Sequence, residues 1–259
     1  LKMKNRMDLY LNFEKPLTPA ELDTLRPLVA RRANREPLQH IIGDTSFRGF
    51  QIKCDPRALI PRPETESLVD MVAEAVKGID NPFIVEVGTG TGAIAISCKK
   101  EIEGANVFAS DISEEALALA KENATLNGVL SNDEGASIQF AQGDLLQALP
   151  TSAPKINCLV ANLPYIPDGE KDNLQPEVAK FDPALALFGG ADGLDLIRKL
   201  LSETEGRMAE GGVILLEIGS EQASMLESEA TKYPWLKFTG SHKDFCDNIR
   251  FVSYEFSRQ

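Results

Sequence analysis

The chain has 259 residues and a formal charge of −12, with 27 Lys and Arg residues against 39 Asp and Glu residues. This acidic balance argues against direct, salt-sensitive binding to nucleic acid, because proteins of that class gather basic side chains on one face. No apolar run approaches the roughly 20 residues that span a membrane, and the first residues lack the apolar core of a signal peptide, so we expect a cytoplasmic protein without membrane contact.

Residues 1–36 are expected to be helical. In TPAELDTLRPLVARRANRE, Thr18 is a suitable N-cap and Glu21 follows at the spacing of a capping box. The segment is too short to fold alone, so we interpret it as the C-terminal part of a helical substrate-recognition domain whose beginning lies outside this chain. We interpret its basic cluster as a solvated helix face, with a partner contact as the alternative. The cluster consists of Arg31, Arg32 and Arg35.

Residues 37–60 mix apolar and polar side chains around glycines, which suggests a hairpin linker to a main domain at 61–259. PRPETESLVDMVAEAV opens that domain with a helix, and prolines mark its entry. Strand and helix patterns then alternate. The predicted strands are 83–88, 106–111, 137–144, 157–162 and 211–219, and the predicted helices are 92–102, 113–128, 192–208 and 220–233.

Two closing strands near 236–244 and 249–256 have no helix-length segment between them. The alternation predicts an α/β fold with a mostly parallel sheet covered on both faces. Because a short connection joins the closing pair, the last strand should run antiparallel to the rest. The polar segment 130–136 is expected to be a surface loop.

Cysteine and histidine are scarce and scattered. The cysteines form no Cys-x-x-Cys pair, and we interpret them as buried thiols; they are Cys54, Cys98, Cys158 and Cys246. The two histidines, His40 and His242, lie far apart in sequence. We therefore expect neither a metal site nor a histidine-based catalytic triad.

The glycine-rich stretch EVGTGTGA lies between a predicted strand and a predicted helix. Gly88, Gly90 and Gly92 would permit a tight turn there, with backbone N–H groups close to a ligand at the positive end of the helix. Thr89 and Thr91 belong to the same loop. The pattern predicts a nucleotide-like cofactor but does not choose one.

Acidic residues stand at the ends of three successive predicted strands, at Glu86, Asp111 and Asp144. Asp111 follows the glycine loop by about twenty residues, where a carboxylate can accept hydrogen bonds from both ribose hydroxyls of an adenosine. A pyrophosphate would be repelled by this row, whereas a cationic adenosine compound such as S-adenosylmethionine would be favoured. The alternative for each acid is a helix N-cap or a loop carboxylate.

Over nearly its whole length the chain resembles the class I S-adenosylmethionine-dependent methyltransferases, and within them the HemK/PrmC-type protein-(glutamine-N5) methyltransferases. The similar segments are REPLQHIIGDTSFRGF, LIPRPETE, VEVGTGTGAIAI, KFDPALALFGGADGLDLIRKL and DNIRFV. The resemblance implies a Rossmann-like sheet of seven strands with an antiparallel last strand. It also implies that the substrate is the glutamine of the Gly-Gly-Gln motif in peptide-chain release factors.

The resemblance assigns roles to single residues as well. It implies that the loop from Gly88 to Gly92 and Asp111 with Ile112 hold S-adenosylmethionine, together with Glu86 and Asn162. It further implies that Leu145 beside Asp144 flanks the adenine. The residues that would receive the substrate glutamine are Asn162, Leu163, Pro164 and Tyr165.

The tetrapeptide at 162–165 reads Asn-Leu-Pro-Tyr, whereas the family usually has Asn-Pro-Pro-Tyr. An amide nitrogen is a poor nucleophile because its lone pair is delocalised. Two fixed acceptors, the Asn162 side-chain oxygen and the residue 163 carbonyl, could grip its N–H bonds and aim the lone pair. Pro164 would stiffen the turn and Tyr165 would pack on the planar substrate. Leu163 keeps the carbonyl, so activity should survive.

Asn-Leu-Pro-Tyr is also common in rRNA adenine dimethyltransferases, so an adenine N6 methyltransferase acting on RNA or DNA is the alternative function. A regulatory module that binds adenosine without methyl transfer is a third hypothesis. Acidic charge and the segments RPETE and DPALALFGGADGL favour a protein substrate, while Leu163 alone favours RNA. Glu177 and Asp182 could line the pocket, but we interpret them as surface-loop carboxylates.

Overall fold

The computed structural model describes residues 6–130 and 137–258. Most of the predicted surface loop at 130–136 lies outside these described residues. None of the helices in the described part of the chain combines the length and the apolar character needed to cross a bilayer.

The N-terminal part consists of three helices followed by a β-hairpin. The helices are α1 (Arg6–Leu11), α2 (Pro19–Ala33) and α3 (Leu38–Ile42), and the hairpin strands are β1 (Asp44–Phe47) and β2 (Phe50–Lys53). The predicted capping box of α2 is confirmed, because the Glu21 amide donates to Thr18 Oγ1 at 3.3 Å and the Thr18 amide donates to Glu21 Oε2 at 2.9 Å. The predicted hairpin is confirmed by the antiparallel pairing of β1 and β2, whereas α3 was not predicted.

The remaining residues alternate between strand and helix. The elements are α4 (Glu66–Ala75), β3 (Phe83–Val87), α5 (Ala93–Glu101), β4 (Asn106–Asp111), α6 (Glu114–Leu126), β5 (Gln139–Gln142), β6 (Ile156–Ala161), α7 (Pro176–Phe181), α8 (Asp195–Glu203), β7 (Met208–Glu217), α9 (Ala223–Ala230), β8 (Leu236–Lys243) and β9 (Ile249–Phe256). The predicted cap of α6 is confirmed, since Ser113 Oγ accepts from the Ala116 amide at 3.1 Å.

The described residues form a seven-stranded sheet in the order β5-β4-β3-β6-β7-β9-β8. The pairs from β5 to β7 are all parallel, and β9 runs antiparallel to both β7 and β8. The fold prediction is therefore confirmed. The short connection between β8 and β9 leaves no length for a crossover helix, which forces the reversal.

Helices cover the sheet on both faces and produce two apolar layers. Along β3, Val85 faces the layer that contains α8 and α9, while its neighbour Ile84 faces the layer that contains α4 and α5. This alternation is the two-residue period of a strand. All five residues of β3 are buried, as expected for a central parallel strand.

Three sequence expectations need correction. The helix predicted over 192–208 ends at Glu203, because Gly206 adopts φ 68° and the chain turns into β7. The third predicted strand ends at Gln142, so Asp144 lies in the turn beyond it. Three cysteines are buried as expected, but Cys246 is exposed because it lies in the β8–β9 turn.

Candidate active site

The carboxyl ends of the central strands open onto one cleft. Most of the predicted site residues line it, namely Glu86, Gly88, Thr89, Gly90, Thr91, Asp111, Ile112, Asp144, Leu145, Asn162, Leu163 and Pro164. Two predicted residues, Gly92 and Tyr165, do not belong to this lining. The linker and the segment after α7 add the opposite walls, through Ala58, Leu59 and Leu185.

The glycine loop is a tight turn that two neighbouring elements enclose. The amides of Gly88 and Thr89 both donate to the Ser110 carbonyl at 2.9 Å, which ties the loop to the end of β4. Gly92 is the N-cap of α5 at φ 81°, and a Cβ atom there would lie 3.1 Å from Ala120 Cβ. Gly92 is therefore required for packing of α5 against α6, which explains why it lies outside the cleft lining.

Asp111 joins the glycine loop to the start of α6. Its Oδ2 accepts from the Gly90 amide at 2.9 Å, and its Oδ1 accepts from the Ser113 amide at 2.9 Å. Burial raises the pKa of the carboxyl, and these backbone hydrogen bonds oppose the rise. Each carboxylate oxygen has a further lone pair, so Asp111 can order the loop and still accept from a ligand.

The other two carboxylates of the predicted row carry less charge into the cleft than expected. Glu86 is buried, and it accepts from Thr89 Oγ1 at 2.7 Å and from the Ala95 amide at 2.9 Å. Burial raises the pKa of Glu86 to about 8, so the group is mostly neutral at pH 7. Asp144 is paired with the Lys199 ammonium group. Of the three carboxylates, Asp111 is the one that lines the cleft without full burial and, among the described residues, without a cationic partner.

Leu145 lies on the cleft wall with φ 51°, in the left-handed region. A branched residue in this conformation carries strain of about 1–3 kcal/mol and persists only where its surroundings hold it. The Leu146 amide, which donates to Glu203 Oε2 at 3.0 Å, helps to hold the turn. Ile112 is half exposed at the same wall and presents an apolar surface.

Asn162 directly follows β6, and its side chain is anchored from behind. Asn162 Nδ2 donates to Thr65 Oγ1 at 3.4 Å, and Thr65 Oγ1 donates to Glu217 Oε2 at 2.7 Å. Among the described residues, none donates a hydrogen bond to Asn162 Oδ1 or to the Leu163 carbonyl. Two adjacent acceptors are therefore available at the end of β6.

The backbone after Asn162 is held by the segment that precedes α8. The Ile166 amide donates to the Leu187 carbonyl at 3.0 Å, and the Gly189 amide donates to the Ile166 carbonyl at 3.0 Å. A Cβ atom at Gly189 would overlap the Pro164 carbonyl oxygen. The segment LFGGADGL thus packs its bare backbone against the tetrapeptide.

Tyr165 lies next to the cleft but does not belong to its lining. Its phenol lies beside Glu217 and Arg250, and burial raises the pKa of its hydroxyl. The Tyr165 carbonyl accepts from Gln222 Nε2 at 2.8 Å. The packing of its ring on the planar substrate stays a prediction.

Thr65 and Glu217 were not among the predicted site residues, although the position of each in the sequence indicated a place at the site. Glu217 is an acid at the carboxyl end of β7, the same criterion that selected Glu86. Thr65 lies within the motif LIPRPETE. Gln222 had no comparable signal, because its contact with Tyr165 spans 57 positions of sequence.

The basic cluster of α2 contacts the main domain rather than only solvent. Arg32 and Arg35 form ion pairs with Glu177 at 3.2 and 2.7 Å. Glu177 does not line the cleft, but it lies in the first turn of α7, so the surface-loop interpretation is wrong about its element. Asp182 is buried instead, and it pairs with Arg62 at 3.5 Å.

Comparison with known proteins agrees with this architecture. Residues 1–43 match the family described as PrmC N-terminal domain, and residues 84–181 match the family described as methyltransferase domain. A release factor glutamine methyltransferase of Deinococcus radiodurans is 42% identical over 207 residues, covering 80% of this chain and 70% of its own. The protein of the same name from Lactococcus lactis subsp. lactis is 36% identical over 250 residues, covering 96% of this chain and 88% of its own.

Solved structures are similar at the level of the fold. A methyltransferase from Pyrococcus furiosus superposes with a TM-score of 0.58 at 16% identity, covering 89% of this chain and 99% of its own. The shared architecture is that of class I methyltransferases.

Proposed function

The chain belongs to the release factor glutamine methyltransferase family, and on that premise we propose that it methylates the side-chain amide nitrogen (N5) of the glutamine in the Gly-Gly-Gln motif of peptide-chain release factors, with S-adenosylmethionine as methyl donor. The strongest structural support is the pair of acceptors at Asn162 Oδ1 and the Leu163 carbonyl beside the glycine-loop cleft. Because release factors act on ribosomes, a cytoplasmic location is part of the same proposal.

The cleft fits an adenosine compound with a positive charge. Asp111 offers free lone pairs beside a loop whose backbone is exposed to the cleft, and it would accept from the ribose hydroxyls. Leu145 and Ile112 would enclose the adenine between apolar surfaces. When bound, S-adenosylmethionine supplies an electrophilic methyl group on its sulfonium.

The residues at the end of β6 would make the substrate nitrogen reactive. Asn162 Oδ1 and the Leu163 carbonyl would each accept one N–H bond of the glutamine amide, which turns the nitrogen lone pair toward the methyl group. Both acceptors also stabilise the positive charge that develops on nitrogen as the bond between sulfur and the methyl group breaks. The methylated nitrogen then loses one proton to water, which leaves a neutral N-methyl amide. Pro164 restricts the turn that presents them. We assign Tyr165 a supporting role, since its phenol lies beside Glu217 and Arg250.

We propose the same assignment of roles to the three segments of the chain that the sequence suggested. Residues 1–36 would belong to a substrate-recognition domain, 37–60 would link it, and 61–259 would carry out methyl transfer. The ion pairs from Arg32 and Arg35 to Glu177 support a defined orientation of α2 on the catalytic part.

The direct test is incubation with labelled S-adenosylmethionine and either a release factor or rRNA, followed by mass spectrometry of the product. We expect label on the motif glutamine, none on a release factor in which that glutamine is replaced by glutamate, and none with the Asn162→Ala enzyme. Label in adenine with unmodified glutamine would replace this function with adenine N6 methylation, which the Asn-Leu-Pro-Tyr tetrapeptide favours. No transfer to either substrate would point to a binding module.

A further inference from the structure

Three side chains form a hydrogen-bonded chain that begins at the cleft and ends in the interior. Asn162 Nδ2 donates to Thr65 Oγ1 at 3.4 Å, and Thr65 Oγ1 donates to Glu217 Oε2 at 2.7 Å. Thr65 is 4% exposed and Glu217 is 2% exposed. A buried carboxylate is unfavourable for folding, so its presence behind the substrate site indicates a role there.

The chemistry of these groups sets the direction of the chain. An ionised carboxylate only accepts hydrogen bonds, so the single Thr65 hydroxyl proton points to Glu217. The Thr65 oxygen can then only accept, and the amide of Asn162 must turn its NH2 group inward. Its oxygen consequently faces the cleft. We propose that Thr65 and Glu217 are positioning residues that fix the Asn162 amide with its oxygen toward the substrate nitrogen.

This orientation matters because the two ends of an amide have almost the same shape. A flipped Asn162 would present its NH2 group to the NH2 group of the substrate, and two donors would face each other. The inference rests on the proposed function, since it concerns the acceptor for the substrate N–H bond. Thr65 and Glu217 need not touch the substrate themselves.

The charge of Glu217 should make the orientation depend on pH. Burial raises the pKa of Glu217 to about 7. The groups that face its carboxylate are Thr65, Asn162, Arg250, Glu64 and Tyr165. Hydrogen bonds from Thr65 and Asn162 and the charge of Arg250 oppose the rise, whereas Glu64 adds to it. A protonated Glu217 could donate to Thr65 and release the Asn162 amide, so kcat should fall as the pH drops below about 7.

The test compares Thr65→Val, which removes the hydroxyl and keeps the shape, with Thr65→Ser, which keeps the hydroxyl. Removing a group that orients a metal ligand typically lowers activity by about 10- to 100-fold, and we expect Thr65→Val, which removes the group that orients Asn162, to lower kcat in a similar range. KM for the release factor and S-adenosylmethionine affinity by calorimetry should stay at the wild-type values, while Tm falls only as far as the loss of one buried hydrogen bond requires. Thr65→Ser should recover most of kcat.

Glu217→Gln supplies a second, independent measurement. Its neutral amide can donate to Thr65 as a protonated carboxyl would, and it does not ionise. We therefore expect kcat at pH 8 to fall toward the low-pH value of the wild type and the acid limb of the kcat profile to disappear. Wild-type kcat in Thr65→Val, or an unchanged acid limb in Glu217→Gln, would overturn the inference. Loss of Tm or cofactor affinity in parallel with kcat, without recovery in Thr65→Ser, would show a merely structural role and would overturn it too.

Failure of the proposed function has a different signature. Wild-type enzyme would then leave glutamine unmodified, whatever the variants do. If rRNA adenine is methylated instead, the same variants measured on that reaction still test the Asn162 orientation, because an exocyclic amine requires the same acceptor.

Discussion

Gly193 has no room for a side chain, because a Cβ atom there would overlap the carbonyl oxygen of Tyr165. The same added atom would lie 2.6 Å from Gln222 Nε2, which donates to that carbonyl. The tetrapeptide backbone at Tyr165 is therefore packed closely against Gly193 and hydrogen-bonded to the Gln222 side chain.

Gly193→Ala should therefore both destabilise the protein and lower methyl transfer. We expect about 1–3 kcal/mol from the forced contact, measured by denaturant unfolding. Gly206→Ala is the matched control, since Gly206 has φ 68° against 79° for Gly193 and no described atom lies within 4 Å of its added Cβ. Equal stability and activity in the two variants would show that backbone strain alone, not contact with Tyr165, limits position 193.

Substitution of Leu163 should lower the stability of the protein without lowering its rate of methyl transfer. Its side chain is 4% exposed in the apolar core, and a Cβ atom on Gly88 would come within 3.0 Å of Leu163 Cδ2. Leu163→Ala should cost about 2–5 kcal/mol of unfolding free energy because it leaves a cavity. Its carbonyl remains, so kcat measured well below Tm should change little. A large loss of kcat with normal folding would contradict a role through the backbone alone.

Asp111 and Asp144 should differ in their effect on cofactor binding. Asp111→Ala is expected to weaken S-adenosylmethionine binding at least about tenfold by calorimetry, or about 1.4 kcal/mol. Asp144→Asn should weaken it less, because Lys199 already pairs with Asp144.

Asp111 also accepts from two loop amides, at Gly90 and Ser113. The unfolding free energy of each variant must therefore be measured alongside its affinity. Unchanged affinity in a folded Asp111→Ala protein would remove Asp111 from the cofactor site.

Glu86 should make stability depend on pH. Its pKa is raised from 4.5 to about 8 in the folded protein, so the folded state holds the proton more tightly than the unfolded state. The stabilisation from this proton is complete below about pH 4.5 and is lost as the pH rises to about 8, with a slope of up to about 1.4 kcal/mol per pH unit.

Glu86→Gln should remove this part of the slope, measured by urea unfolding of the apoprotein at several pH values. Glu74→Gln is a suitable control, because the Glu74 side chain is 75% exposed and lies away from the cleft. A Glu86→Gln slope equal to that of wild type would mean that Glu86 titrates normally in the folded protein.

The sequence by itself determined the order of the seven sheet strands, the longer helices between them and the reversed last strand, whereas the short helices α3 and α7 were not predicted. Thr18 and Ser113 cap α2 and α6 as predicted, because a cap depends on residues three positions apart. The parallel sheet follows from the alternation of strand and helix patterns in the sequence. Each of these patterns is also contained in a short segment of the chain. The cleft could be located for a similar reason, since strand ends and glycine turns are visible in short segments.

Only the tertiary structure decided which charges and which acceptors the cleft presents. Asn162 and Thr65 are 97 positions apart in sequence, and Thr65 and Glu217 are 152 apart. Lys199 reaches Asp144 across 55 positions. Burial makes Glu86 mostly neutral, and burial is a property of the packed chain rather than of a segment. Charge state and hydrogen-bond direction therefore depend on partners that meet only when the sheet and its helices close around them.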